Sequence, residues 1–252
     1  MAKYIEFVGV PGVGKTTTYD ALKARWSDSE NWVPYELLGS EETLYKQGVR
    51  EQLILYLVKL IKPQLLSRLT KKRTAIEQPF RISPELLELF WQNIAKSKHA
   101  TGEDLRFYGV NYIRSIFEKI QHVLEEPTHK FCIIDEGLIH NLNYFLKNTQ
   151  SYNLNQEVEK ALDLIDLPAA IIYFEGDVTT VVDRTVQRGN FRIRDKSLTA
   201  EQLVKSREEA LCEKNIYIEV IREKGIPVLT LNAADSVYEK VNKIKDFIYS
   251  LS

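Results

Sequence analysis

The chain has 252 residues, 44% of them hydrophobic, which is enough to bury a core of its own as one large domain. Thirty-four Lys and Arg against 35 Asp and Glu leave a formal charge of −1. That balance excludes a global field for nucleic acid or anionic membrane, so any phosphate binding must be local. The most apolar run, LILYLVKLI from Leu53, is interrupted by Lys59 and too short to span a bilayer, and MAKYIEF lacks the apolar stretch of a signal peptide. A soluble, cytoplasmic protein is expected. Cys132 and Cys212 show neither CxxC nor histidine spacing, and both read as packing residues.

In chain order, short apolar runs alternate with segments of helical period, the pattern of an α/β fold with a five-stranded parallel sheet covered by helices. The predicted strands are residues 3–9, 32–38, 130–135, 169–174 and 226–231, each rich in Val, Ile, Tyr or Phe. The gap between the second and third is too long for one crossover. It carries Leu87, Phe90 and Ile94 at helical spacing, so residues 40–127 read as a helical, substrate-side insertion. Val110, Ile113, Phe117, Ile120 and Leu124 form one apolar stripe, and Val237, Val241, Ile244 and Leu251 another. With no repeats and no flexible linker, residues 1–252 read as a single domain.

The first strand runs into Gly9-Val10-Pro11-Gly12-Val13-Gly14-Lys15-Thr16, which fits GxxxxGK[ST] between a predicted strand and a predicted helix. The glycines let successive N–H groups point at phosphate oxygens, and the helix N-terminus adds its dipole. Gly9, Pro11, Gly12, Val13, Gly14, Lys15, Thr16 and Thr17 are therefore the candidate ATP cradle. Lys15 would reach the β- and γ-phosphates, and the Thr16 hydroxyl would ligate Mg²⁺.

The third strand ends on Asp135-Glu136, at the carboxyl edge where ligands bind in parallel sheets. Asp135 can hold Mg²⁺ or take a proton from an acceptor hydroxyl, and Glu136 offers the same options, although neighbouring strand residues point to opposite faces. Glu36, at the end of the second strand, is a further candidate base. Four apolar residues followed by Asp-Glu also suit a motor-type ATPase in which the glutamate activates water.

After the fourth strand comes EGDVTTVVDRTVQRGNFRIRD. In a helix from Val178, Val182 and Val186 would take one side and Arg184 and Arg188 the other, four residues apart, with Arg192 and Arg194 in the loop that follows. Residues 188–198 then read as a lid that brings guanidinium groups over a transferring phosphoryl group and excludes water. A self-contained arginine lid favours a kinase over a motor, and no Asn-Lys-x-Asp guanine-reading segment supports a GTPase switch.

GVPGVGKTTT, VVDRTVQRG and VLTLNAADSVYEKV together resemble the phosphate loop, lid start and final strand-loop-helix of P-loop nucleoside monophosphate kinases, nearest to the thymidylate kinases. The resemblance implies a three-layer P-loop kinase fold, ATP and Mg²⁺ as reactants, Arg184 near the adenine, Arg188 near the phosphates and Ala233 in the purine-contacting loop. It also places a substrate-binding arginine at Arg114. Two departures bear on the acceptor: Asp135-Glu136-Gly137 stands where thymidylate kinases carry an arginine after the aspartate, and Tyr35-Glu36-Leu37-Leu38-Gly39 replaces their Arg-Glu-Pro-Gly turn. A carboxylate there repels a monophosphate, so an uncharged sugar or nucleoside hydroxyl fits better. The expectation is an ATP-dependent small-molecule kinase; the alternatives are a monophosphate kinase and a P-loop ATPase or regulatory switch. The partners expected are ATP and a small acceptor, with no nucleic acid and no membrane, and with a homodimer left open.

Overall fold

A computed structural model describes residues 2–26, 30–35, 38, 82–96, 106–146, 153–189, 195 and 198–251. Glu36, Arg192, Arg194, most of the expected insertion and most of the expected lid lie outside the described residues. Five strands form one parallel sheet in the order β2-β3-β1-β4-β5: β1 Lys3–Val8, β2 Trp32–Pro34, β3 Phe131–Asp135, β4 Ala170–Glu175 and β5 Val228–Asn232. The described helices are α1 Lys15–Trp26, α2 Pro84–Lys96, α3 Arg106–Glu125, α4 Leu154–Leu162, α5 Val178–Arg188, α6 Ala200–Glu223 and α7 Val237–Leu251.

The sheet is buried on both faces because its strands are near-continuous in apolar residues. On one face Tyr4, Val8, Cys132, Ile134 and Ile171 pack against α2, α3, α4 and α6. On the other, Ile5, Phe7, Ile133, Ile172 and Phe174 pack against α1 and α7. This is a three-layer α/β/α arrangement. Each fully buried Ile, Leu, Val or Phe contributes about 1.5–3 kcal/mol by leaving water.

Several boundaries differ from the sequence expectation, each for a local reason. β2 stops at Pro34, which has no N–H to donate to a ladder, and the N–H of Leu38 instead closes a turn on the Tyr35 carbonyl at 3.1 Å. β5 begins only after Pro227. In α2, Leu86 is buried and Leu87 is 41% exposed, so the stripe is Leu86, Phe90 and Ile94. In α5, Val181 and Thr185 are the buried residues, whereas Val186 is 53% exposed; the helix turns Thr185 inward because its hydroxyl can donate to the Val181 carbonyl, at 2.8 Å. Cys132 packs in β3 as expected, but Cys212 lies exposed on the outer face of α6.

β1 lies between β3 and β4, and the register sets Phe7 beside Asp135. The loop after β1 and the acidic end of β3 therefore leave the sheet side by side. No described helix is long and apolar enough to cross a membrane.

Candidate functional site

The loop from Gly9 to Gly14 turns on positive φ angles, 97° at Gly12 and 100° at Gly14. A side chain at Gly12 would also meet the Val181 carbonyl and the Thr185 hydroxyl at 2.8 Å, so this glycine lets the loop seat directly on α5. Val13 is fully buried in the α1/α7 core and anchors the loop from below, and Pro11 is half-buried. The N–H of Thr18 donates to the Gly14 carbonyl at 3.0 Å, which starts α1 where the loop ends. Thr16 and Thr17 are exposed in its first turn.

Lys15 is 5% exposed, and its ammonium folds back over the loop. Nζ donates to the Gly9 carbonyl at 2.7 Å and the Val10 carbonyl at 3.4 Å, and lies 3.3 Å from Glu136 Oε1. The Thr16 hydroxyl donates to Asp135 Oδ2 at 3.2 Å. Asp135 Oδ1 is buried and has no hydrogen-bond partner among the described residues. Burial raises the Asp135 carboxyl above the usual range, and Lys15 only partly offsets this. A buried, under-coordinated carboxylate oxygen beside a threonine hydroxyl fits Mg²⁺, which takes one or two protein oxygens and completes its shell with phosphates and water. Among the described residues no group of three or more His, Cys, Asp or Glu is placed to hold a metal ion.

Glu136 shares this site with Asp135, although alternation along a strand would send the two side chains to opposite faces. Its φ is 60°, the only positive value at a non-glycine among the described residues, and this left-handed step brings the carboxylate round to Lys15. It also accepts from the Tyr112 hydroxyl of α3 at 3.2 Å and lies 3.6 Å from His140 Nε2. Asn141 Nδ2 donates to the Gly137 carbonyl at 2.8 Å and the Glu136 carbonyl at 3.4 Å, fixing the turn.

Arg184 and Ala233 meet at the other rim of the loop. Arg184 Nη1 donates to the Ala233 carbonyl at 3.1 Å, and Lys240 Nζ of α7 donates to the same carbonyl at 2.8 Å. Arg188 is exposed in the last turn of α5, which Gly189 caps at a φ of 65°. Asp195, in the expected lid, makes a buried pair with Arg207 of α6 at 2.5 Å. Arg114 is 63% exposed on α3 and pairs with Glu118 at 2.9 Å, one turn along the helix, while Tyr112 of the same helix bonds to Glu136 and Lys119 acts electrostatically on Asp135.

Sequence reasoning missed Tyr112, His140, Asn141 and Lys240, since each is an isolated polar residue in an unremarkable context. It also missed Glu6, for which a signal existed: one carboxylate in the middle of YIEFV, a strand otherwise fit for complete burial. Glu6 is fully buried and accepts from the N–H groups of Ile139 at 3.1 Å and His140 at 2.6 Å. Burial pushes its carboxyl up to about 8, against the pull of those N–H groups and of Lys214. Lys214 of α6, itself buried, is brought down to about 8 by burial and donates to the His140 carbonyl at 2.6 Å.

No family model matches the chain, and no curated protein matches it. Among solved structures it is similar to deoxyadenosine kinase from M. mycoides with bound dCTP, at 12% identity and a TM-score of 0.45, covering 98% of this chain and 99% of that one. The same enzyme with bound dATP gives 13% identity and a TM-score of 0.47 over the same shares. Identity and superposition at that level leave the functional argument to the residues of the site.

Proposed function

We propose that this chain is an ATP-dependent kinase that transfers the γ-phosphoryl group to the hydroxyl of a small uncharged acceptor such as a sugar or nucleoside. The observation that carries the reading is the convergence, at the ends of β1 and β3, of Lys15, Thr16, Asp135 and Glu136, with one Asp135 oxygen left unpaired. The loop N–H groups and the N-terminus of α1 would bind the phosphates, and Lys15 would exchange its carbonyl partners for phosphate oxygens. Thr16 and Asp135 would hold Mg²⁺, which when bound neutralises charge on the phosphates.

Glu136 is the better placed of the two acids to take the acceptor proton, because Asp135 is committed to Thr16 and the metal position. As the acceptor oxygen bonds to the γ-phosphorus, the bond to the β-γ bridging oxygen breaks, ADP leaves, and the hydroxyl proton passes to the carboxylate. Glu36 remains a second candidate base. Arg188 is proposed to stabilise the phosphoryl group in flight, while Arg184 and Ala233 flank the purine. Arg192, Arg194 and Arg114 stay candidate contacts to the phosphates or the acceptor. Glu136 would also disfavour a monophosphate acceptor, since a carboxylate facing the acceptor phosphate would repel it.

The test is chromatography of products from ATP and Mg²⁺ with ribose, glucose, adenosine, thymidine or thymidine monophosphate. A phosphorylated sugar or nucleoside supports the proposal. ATP consumption at the same rate in water alone would favour an ATPase, and no turnover with tight ATP binding would favour a switch.

A further inference from the structure

Glu6 lies three residues before Gly9, and its hydrogen bonds among the described residues go to the 137–140 turn, not to the groups assigned to nucleotide or metal. Its surroundings are nevertheless specific. The carboxylate accepts from Ile139 N–H and His140 N–H at 3.1 and 2.6 Å, one oxygen for each. It also fills the space in front of Gly137, where a Cβ would lie 2.6 Å from its Cδ and Oε2. Consecutive backbone N–H groups turned inward make a concavity for an acceptor, and here the acceptor is a carboxyl of the protein's own first strand. Buried Lys214 donates to the His140 carbonyl of the same turn at 2.6 Å. The turn so gripped begins at Glu136, the residue held in a left-handed conformation that returns its carboxylate to Lys15 at 3.3 Å. Nothing in a short isolated turn favours that conformation for glutamate, which costs roughly 1–2 kcal/mol for an L-residue.

We infer that Glu6, with Lys214, is a positioning residue: it clamps the 137–140 turn so that Glu136 stays in its left-handed conformation with its carboxylate against Lys15. The inference rests on the kinase reading for its catalytic consequence and on the geometry of Lys15 and Glu136 for the rest. Glu6 acts through Glu136, since the phosphate loop is built by Gly12, Gly14 and Val13 independently of it.

Glu6→Gln keeps the shape but converts one acceptor oxygen into an NH₂ that faces a backbone N–H, so the turn is released on one side. With ATP varied and the best hydroxyl acceptor of the panel at saturation, kcat should fall by roughly a hundredfold, the order expected when a reacting group shifts by about 1 Å. KM for ATP should stay within about threefold, because the phosphate loop is untouched. Lys214→Met, which removes the donor to the His140 carbonyl, should give the same split and serves if Glu6→Gln does not fold. A readout independent of turnover is acetylation of Lys15 by acetic anhydride, followed by mass spectrometry on the folded protein: labelling should rise several-fold in both variants as Glu136 leaves the ammonium. A lower melting temperature with kcat per folded molecule and Lys15 labelling both unchanged would overturn the inference, leaving Glu6 an ordinary buried carboxylate. If the parent protein transfers no phosphoryl group, the kinase reading falls and Lys15 labelling alone decides this one.

Discussion

Lys15 is the residue whose loss should be most damaging and least structural. Its ammonium bonds to loop carbonyls and lies against Glu136, so Lys15→Ala should lower kcat by about 10²–10³-fold, as for removal of a preorganised electrostatic donor, with a smaller effect on melting temperature. Near-normal turnover would remove the phosphate-loop assignment. Asp135 makes a different kind of prediction. Burial raises its native pKa above the unfolded value, so the group's contribution to stability is greatest below the ordinary aspartate pKa and is lost as pH rises through the native one. At neutral pH the ionised carboxylate therefore costs stability. Asp135→Asn should leave the melting temperature at pH 7 equal or higher while Mg²⁺-dependent turnover drops by about a hundredfold or more. For the same reason the Mg²⁺ affinity of the parent should decline on acidification from a higher pH than an ordinary aspartate would give. A lower melting temperature with normal Mg²⁺ dependence would make Asp135 a mere strand end. At Glu136, replacement by Gln should improve turnover of thymidine monophosphate relative to thymidine by about tenfold, since a charge opposed to the acceptor phosphate is removed. An unchanged ratio would show that Glu136 does not face the acceptor.

At the level of elements, the legible parts were those in which a local pattern sets residue type and spacing together. The candidate phosphate loop leads from a strand into a helix as expected, and the acidic end of β3 leaves the sheet beside it. The turn after β3 was not legible: strand alternation set Glu136 apart from Asp135, and only the φ of 60° brings them together. That angle is held by Glu6 through bonds that span 133 and 134 positions of the chain, which no local pattern reveals. The face of α5 was misread for a related reason, since valine outranks threonine as an apolar signal, yet Thr185 can bury its hydroxyl by bonding it to its own helix. α5 carries a paired prediction. Arg184 is held at the Ala233 carbonyl and Arg188 is exposed at the helix end, so Arg184→Ala should raise KM for ATP with a smaller change in kcat. Arg188→Ala should reduce kcat by roughly a thousandfold with less effect on ATP affinity, as for a group that acts in the transition state. Equal, mild effects of the two would make this arginine pair a solvated helix face.

For the whole molecule, the sheet order places the two acidic side chains at the junction between two separately packed cores, one under α1 and α7 and the other under α2, α3, α4 and α6. The phosphate loop belongs to the first through Val13, and the acidic turn belongs to the second through Leu138, Ile139 and Leu142. The candidate site thus lies where two separately packed cores meet, which suits chemistry that consists mainly of positioning and charge stabilisation. Phosphoryl transfer differs from hydrolysis and from switching in where the phosphoryl group ends. The most direct measurement is the stoichiometry of phosphorylated acceptor to ADP formed from ATP and Mg²⁺, with the sugar and nucleoside panel as acceptors. The account predicts one phosphorylated hydroxyl product per ADP for at least one of them, with ADP formation in water alone slower by orders of magnitude. ADP and inorganic phosphate in equal amounts, at a rate indifferent to every acceptor, would contradict it.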